Sequence, residues 1–269
     1  MTRVSRPLMT VLIAEGIVLA ALLVLAFDQY AHAQREMTTG INARGYRGPI
    51  ARERAYDETR LMMVGGARAF QPGVPHPDTT SARMRFMIEQ WVTFDHGPVT
   101  AVNLALPGLP RGGYAERLDA YRHLLPDVIC IYPDLSPVAE LMTQGLITRL
   151  TGYVPALAPL VSIDRAIGGL FGTRVVSDEI VTVAAVVDTA LTMVPGVVVA
   201  IPEPATVAES ADRDALLAAL ARFAEDRRVT VIQLKDGPPA ITAGVLQPAD
   251  AIQIEPALSA FLRARPKTS

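Results

Sequence analysis

The chain is poor in the residues from which most recognisable sites are built. Its 269 residues include one cysteine, Cys130, so no intramolecular disulfide can form. That cysteine lies in the apolar run Val128-Ile129-Cys130-Ile131, the setting of a small buried core residue rather than a reactive thiol. The four histidines, His32, His76, His96 and His123, are far apart, and no Cys/His cluster has metal-ligand spacing. Neither G-x-x-x-x-G-K-[ST] nor G-x-G-x-x-G occurs, so nothing points to a nucleotide, and no cofactor is expected. Basic excess is missing as well: 25 Lys and Arg stand against 27 Asp and Glu, scattered along the chain. Without a concentrated basic face to neutralise phosphates, no nucleic-acid partner is expected. There is no internal repeat.

What the sequence does have, first of all, is a long apolar run. Residues 8–27 read LMTVLIAEGIVLAALLVLAF, with Glu15 as the only charge. A helix of that length rises about 30 Å, the thickness of a bilayer core. Arg3 and Arg6 precede it and Asp28 follows, a bias that places residues 1–7 in the cytoplasm and the rest of the chain outside. Ala31-His32-Ala33 has the small-x-small form of a signal cleavage site. The run is nonetheless longer than the roughly 7–15 residues of a signal h-region, which favours a retained transmembrane helix over 8–27. Either reading exports the domain, and the membrane is the first expected partner. Glu15 lies within two turns of the cytoplasmic end, where snorkelling or protonation accommodates it without a functional role.

Residues 28–59 are polar, with turn signals at Gly40, Gly45 and Gly48-Pro49, as in a stalk and lead-in. Beyond them lie five short, nearly continuous apolar runs at 61–64, 99–104, 127–132, 196–201 and 229–234, which suit strands buried on both faces of a parallel sheet. Between them, 81–91, 114–125, 178–191 and 211–224 carry helical periodicity. Strand–helix alternation of this kind predicts a doubly wound α/β sandwich with its sites at the carboxyl ends of strands. The apolar stretch 180–201 is read as core rather than a second span, because Asp188 sits near its centre and Pro195-Gly196 divides it. Segment 138–177 remains open as a lid, a membrane-facing surface or an interface.

The strand ends carry a series of motifs. Asn42, Gly45-Tyr46-Arg47-Gly48-Pro49 and then Gly65-Gly66-Ala67 resemble the lead-in and first block of membrane-associated SGNH (GDSL-type) hydrolases. Asn103 and Gly108 are similar to the second block, Pro126-Asp127 and Asp134-Leu135-Ser136 to the third, and Asp250 and Gln253 to the last, with a final helix expected from Pro256. The resemblance spans roughly 41–265. It implies a flavodoxin-like three-layer α/β/α sandwich with a five-stranded parallel sheet over 60–266, preceded by the N-terminal transmembrane helix.

The same resemblance implies that the catalytic set is degenerate. Ala67 stands at the nucleophile position and Gln253 at the histidine position. Ser136 replaces the oxyanion asparagine and Asp134 a glycine, while Asp250 and Gly108 are retained. Alanine has no heteroatom to attack an ester, and a glutamine amide takes up no proton near neutral pH. Arg68, beside Ala67, and Gly108, whose N–H the resemblance places in the oxyanion hole, are the candidates for binding a ligand, Arg68 for an anionic one. Thr79, Thr80 and Ser81 are read as caps of the helix over 82–91, His76 as an exposed loop residue between prolines, and His96-Gly97 as a turn. Two functions follow. One is a non-catalytic accessory protein that holds a glycan or acyl ester, or docks to an envelope protein. The other is an esterase or acyltransferase with a relocated site.

Overall fold

A computed structural model describes residues 6–92, 97–135, 156–170, 182–236, 240–242 and 245–264. Its helices are α1 (Arg6–Thr39), α2 (Ala67–Phe70), α3 (Thr80–Val92), α4 (Gly113–Ala120), α5 (Ala158–Leu170), α6 (Thr182–Leu191), α7 (Val207–Leu220) and α8 (Ala249–Ala264). Strands β1 (Thr59–Gly65), β2 (Val99–Asn103), β3 (Val128–Tyr132), β4 (Val197–Ile201) and β5 (Val229–Gln233) form one parallel sheet in the order β2-β1-β3-β4-β5. That is the flavodoxin-like order, in which the chain reverses direction across the sheet between β1 and β3. A short pair, β6 (Ala240–Thr242) and β7 (Val245–Gln247), stands apart as an antiparallel ribbon.

The apolar runs become strands because both faces of the sheet are covered. β1, β3 and β4 are buried along their whole lengths, and successive residues serve opposite faces. Met62, Val64, Ile129, Ile131 and Val199 pack with Leu118 of α4, Val187 of α6 and Leu220 of α7. Leu61, Met63, Val128, Cys130 and Val198 pack with Met84 and Ile88 of α3 and with Ile254 and Leu258 of α8. Burial pushes the Cys130 thiol up to about 12, which keeps it protonated and unreactive.

In the described part of stretch 180–201, residues 182–201, Val183, Val186, Val187 and Ala190 are buried in the core, and Asp188 pairs with Arg222 on the outside. α1 runs unbroken past the apolar run to Thr39. Residues 28–39 contain no glycine or proline and are rich in Ala, Gln, Arg and Glu, so nothing stops the helix before Gly40, whose φ is +72°. Among the described residues, α1 is the one helix long and apolar enough to cross a membrane. α8 begins at Ala249 rather than at Pro256. The proline removes a single helical N–H, and the helix continues through it.

The lead-in motif has a structural reason. Asn42 Nδ2 donates to the Gly48 carbonyl (2.8 Å) and its Oδ1 accepts from Arg44 N (2.8 Å), closing a tight turn around Gly45. Buried Arg47 then donates to the carbonyls of Phe70, Gln71 and Val74 and lies 4.5 Å over the Phe70 ring. Its own N–H donates to the Asn103 carbonyl (2.9 Å). One residue thus joins the end of β2, through its backbone, to the loop leaving α2, through its side chain, next to the switch point.

Candidate functional site

β1 and β3 lie side by side, with Gly65 in register with Tyr132. A Cβ on Gly65 would overlap the Tyr132 carbonyl, so only glycine lets the two strand ends close. A Cβ on Gly66 would overlap the Asp134 carboxylate. Into the space that Gly66 leaves, Asp134 brings both oxygens to the start of α2: Ala67 N–H donates to Oδ2 at 2.5 Å and Arg68 N–H to Oδ1 at 3.0 Å. Free N–H groups at a helix start favour an anion, and here the chain supplies its own.

Asp134 is held in place from behind. Arg111, buried after β2, donates from Nε to the Asp134 carbonyl (3.0 Å). Its Nη2 donates to the Leu135 carbonyl (3.1 Å) and to Asp212 of α7 (2.9 Å). Arg68, the candidate anion-binding residue, points its guanidinium the other way, donating to the Glu203 carbonyl (3.1 Å) and lying 3.8 Å from the Glu209 carboxylate.

The last block is also engaged. Asp250 accepts a hydrogen bond from the Tyr132 hydroxyl at 2.7 Å. Burial, reinforced by the Asp250 charge, raises Tyr132 well above the usual phenol range, so it stays a donor. Gln253 Nε2 donates to the Lys235 carbonyl (2.8 Å) and its Oε1 accepts from Lys235 N (2.9 Å). This amide-to-backbone clasp fixes the chain just beyond β5, and it uses both ends of the glutamine amide. Gly108 occupies the turn after β2 with φ +76°, a conformation that favours glycine. Ser136 and His96 fall outside the described residues.

The hydroxyls of Thr79 and Ser81 are engaged within the fold. Thr79 Oγ1 accepts from Ala82 N (3.4 Å) and donates to the His76 carbonyl (2.8 Å), so it caps α3. Ser81 Oγ receives Asn103 Nδ2 (3.2 Å), and Thr80 N donates to Gln71 Oε1 (2.6 Å). His76 departs from the exposed-loop expectation. Its ring is half-buried against Gly48, where the missing Cβ makes room for it. Burial, with the charges of Arg47 and Arg85 adding, lowers its pKa, so the imidazole is neutral. Sequence reading missed Tyr132, Arg111, Asp212 and Lys235 as partners of the site. Only Asp134 left a sign, as an acid where the resembled motif has glycine.

No family model matches the chain, and no curated protein matches it either. Solved structures do. A family two carbohydrate esterase from Cellvibrio japonicus is 11% identical, with TM-score 0.42. The match covers 81% of this chain and 64% of the esterase, so the chain spans less than two thirds of that protein. A lipolytic G-D-S-L family protein from Veillonella parvula is 12% identical (TM-score 0.44, 76% of this chain and 99% of the other). TesA is 14% identical (TM-score 0.41, 76% and 98%). At these identities the likeness assigns neither an activity nor a ligand to this chain.

Proposed function

We propose that the chain is a membrane-tethered, extracytoplasmic SGNH-hydrolase-like protein that performs no hydrolysis. It serves as a ligand-binding or accessory subunit in cell-envelope or polysaccharide processes, with glycans or acyl esters as the ligand class. Arg3 and Arg6 before the apolar half of α1, and Asp28 after it, support a cytoplasmic N-terminus and an exported domain. The reading makes Ala67, Gly108, Ser136, Asp250 and Gln253 vestigial positions.

One observation carries the proposal: the Asp134 carboxylate sits on the N–H groups of residues 67 and 68. Ester cleavage by this fold's chemistry needs a hydroxyl, a base to deprotonate it and donors aimed at the developing oxyanion. Ala67 lacks the hydroxyl and Gln253 the basic nitrogen. Asp250, which would orient an imidazole, accepts instead from Tyr132. An N–H that already holds a carboxylate is not free for a second anion, and the fixed negative charge opposes one forming nearby. Fluorophosphonate treatment of the purified full chain, beside an active serine esterase as positive control, should label the control and leave this chain unmodified. Robust labelling at a single residue would overturn the proposal in favour of a hydrolase with a relocated nucleophile.

A further inference from the structure

Helix α5 has no part in the site, yet it is fastened at one particular height. Asp28 directly follows Phe27, the last residue of the apolar run, and its side chain is fully buried. Its Oδ1 accepts the backbone N–H groups of Ala156 and Leu157, both at 2.9 Å, and these residues lead straight into α5 (Ala158–Leu170). His32, one turn further along α1, lies 3.6 Å from the other carboxylate oxygen. The first turn of α5 is therefore pinned to the point where α1 ceases to be apolar.

Among the described side chains of α5, those on the outward side are uncharged. Ser162, Ile163, Ala166 and Ile167 are exposed and fall on one face at helical spacing, with Ile163 53% and Ile167 36% accessible. Asp164 is turned inward and is 3% exposed. In water such a face would leave apolar area uncovered at about 25 cal/mol per Å². Asp28 fastens this helix next to the end of a run of the same character, the exposed apolar side chains of α1 between Met9 and Phe27. At 13 residues α5 is about 20 Å long, too short to cross a bilayer core of about 30 Å but suited to lying in its boundary.

We infer that α5 lies in the membrane–water boundary at the end of the α1 span, with Ile163 and Ile167 against lipid, and so gives the domain a second attachment. The inference rests on the reading of α1 as a membrane anchor. Lipid is the occupant because the face is apolar and its helix is fastened, through Asp28, at the depth where the apolar run of α1 ends.

The test uses the full chain in phosphatidylcholine vesicles with an environment-sensitive fluorophore on single introduced cysteines. Cys130 is buried and stays unlabelled. Val18→Cys reports the middle of the span, Ile163→Cys reports α5, and Val207→Cys, at a position 89% exposed on α7, reports open solvent. Val18→Cys and Ile163→Cys should lose emission to nitroxide-bearing lipids, with shallow nitroxides the more effective at Ile163, while aqueous iodide quenches only Val207→Cys. If Val18→Cys is quenched by lipid but Ile163→Cys behaves like Val207→Cys, the α5 inference falls and the anchor stands. Shielding of Ile163→Cys from both quenchers would also overturn it, by showing protein on that face. A Val18→Cys label insensitive to lipid would remove the anchor reading, and the α5 inference with it.

Discussion

A single carboxylate decides the chemistry of the strand ends. Asp134 fits only because Gly66 has no Cβ, and it occupies the two backbone donors at the start of α2. Restoring the missing groups alone should therefore fail. Ala67→Ser with Gln253→His is expected to show no turnover of an activated acetyl ester, and the first measurable hydrolysis should require Asp134→Gly in addition. Activity in the double variant would show that the carboxylate is no obstacle. The positions of these residues are legible in the sequence as a broken motif series. What Asp134 does is not, because a glycine-to-acid change reads as a loss until its reach over Gly66 is seen. His76 carries a second consequence at this scale. Its folded pKa is depressed from 6.5, so below that pH the unfolded chain binds the proton more readily than the fold does. Stability then falls as pH drops through the unfolded value toward the folded one. Urea unfolding at about pH 7.5 and about pH 5.5 should show a larger drop for the native chain than for His76→Gln.

Among the elements, the sheet is what the sequence discloses best. β1, β3 and β4 are short apolar runs because they are buried on both faces, and all five strands match the expected runs to within a residue or two at each end. Helix ends are less legible. α1 passes through polar residues 28–39 because their composition favours helix and no breaker intervenes. α8 starts before Pro256 because a helix tolerates one missing N–H when its apolar side, with Ile254 and Leu258, is packed. The tightest constraint between elements is the contact of β1 with β3 at Gly65. Gly65→Ala drives a methyl group into the Tyr132 carbonyl and should destabilise the domain by about 3 kcal/mol or more. The checks are soluble yield and the denaturation midpoint. A stable, well-expressed variant would mean that the strands part more easily than their register implies.

For the whole molecule, the apolar surface of α1 is the dominant feature, and it sets the expected behaviour of the intact chain. The protein should remain with the membrane fraction after alkaline carbonate extraction and enter solution only with detergent, as followed by immunoblot of the two fractions. Release by carbonate would place the chain among peripheral or secreted proteins. The helix that carries this surface has a further consequence. Its 34 residues make one rod of about 51 Å, with no hinge between the apolar half and the fold. The glycine that ends it, Gly40, is wedged between Arg47 and His76 rather than left as a swivel. Height and bearing of the strand ends are thereby set relative to the rod's axis. A molecule that meets the strand ends then arrives at the altitude and azimuth that the rod sets.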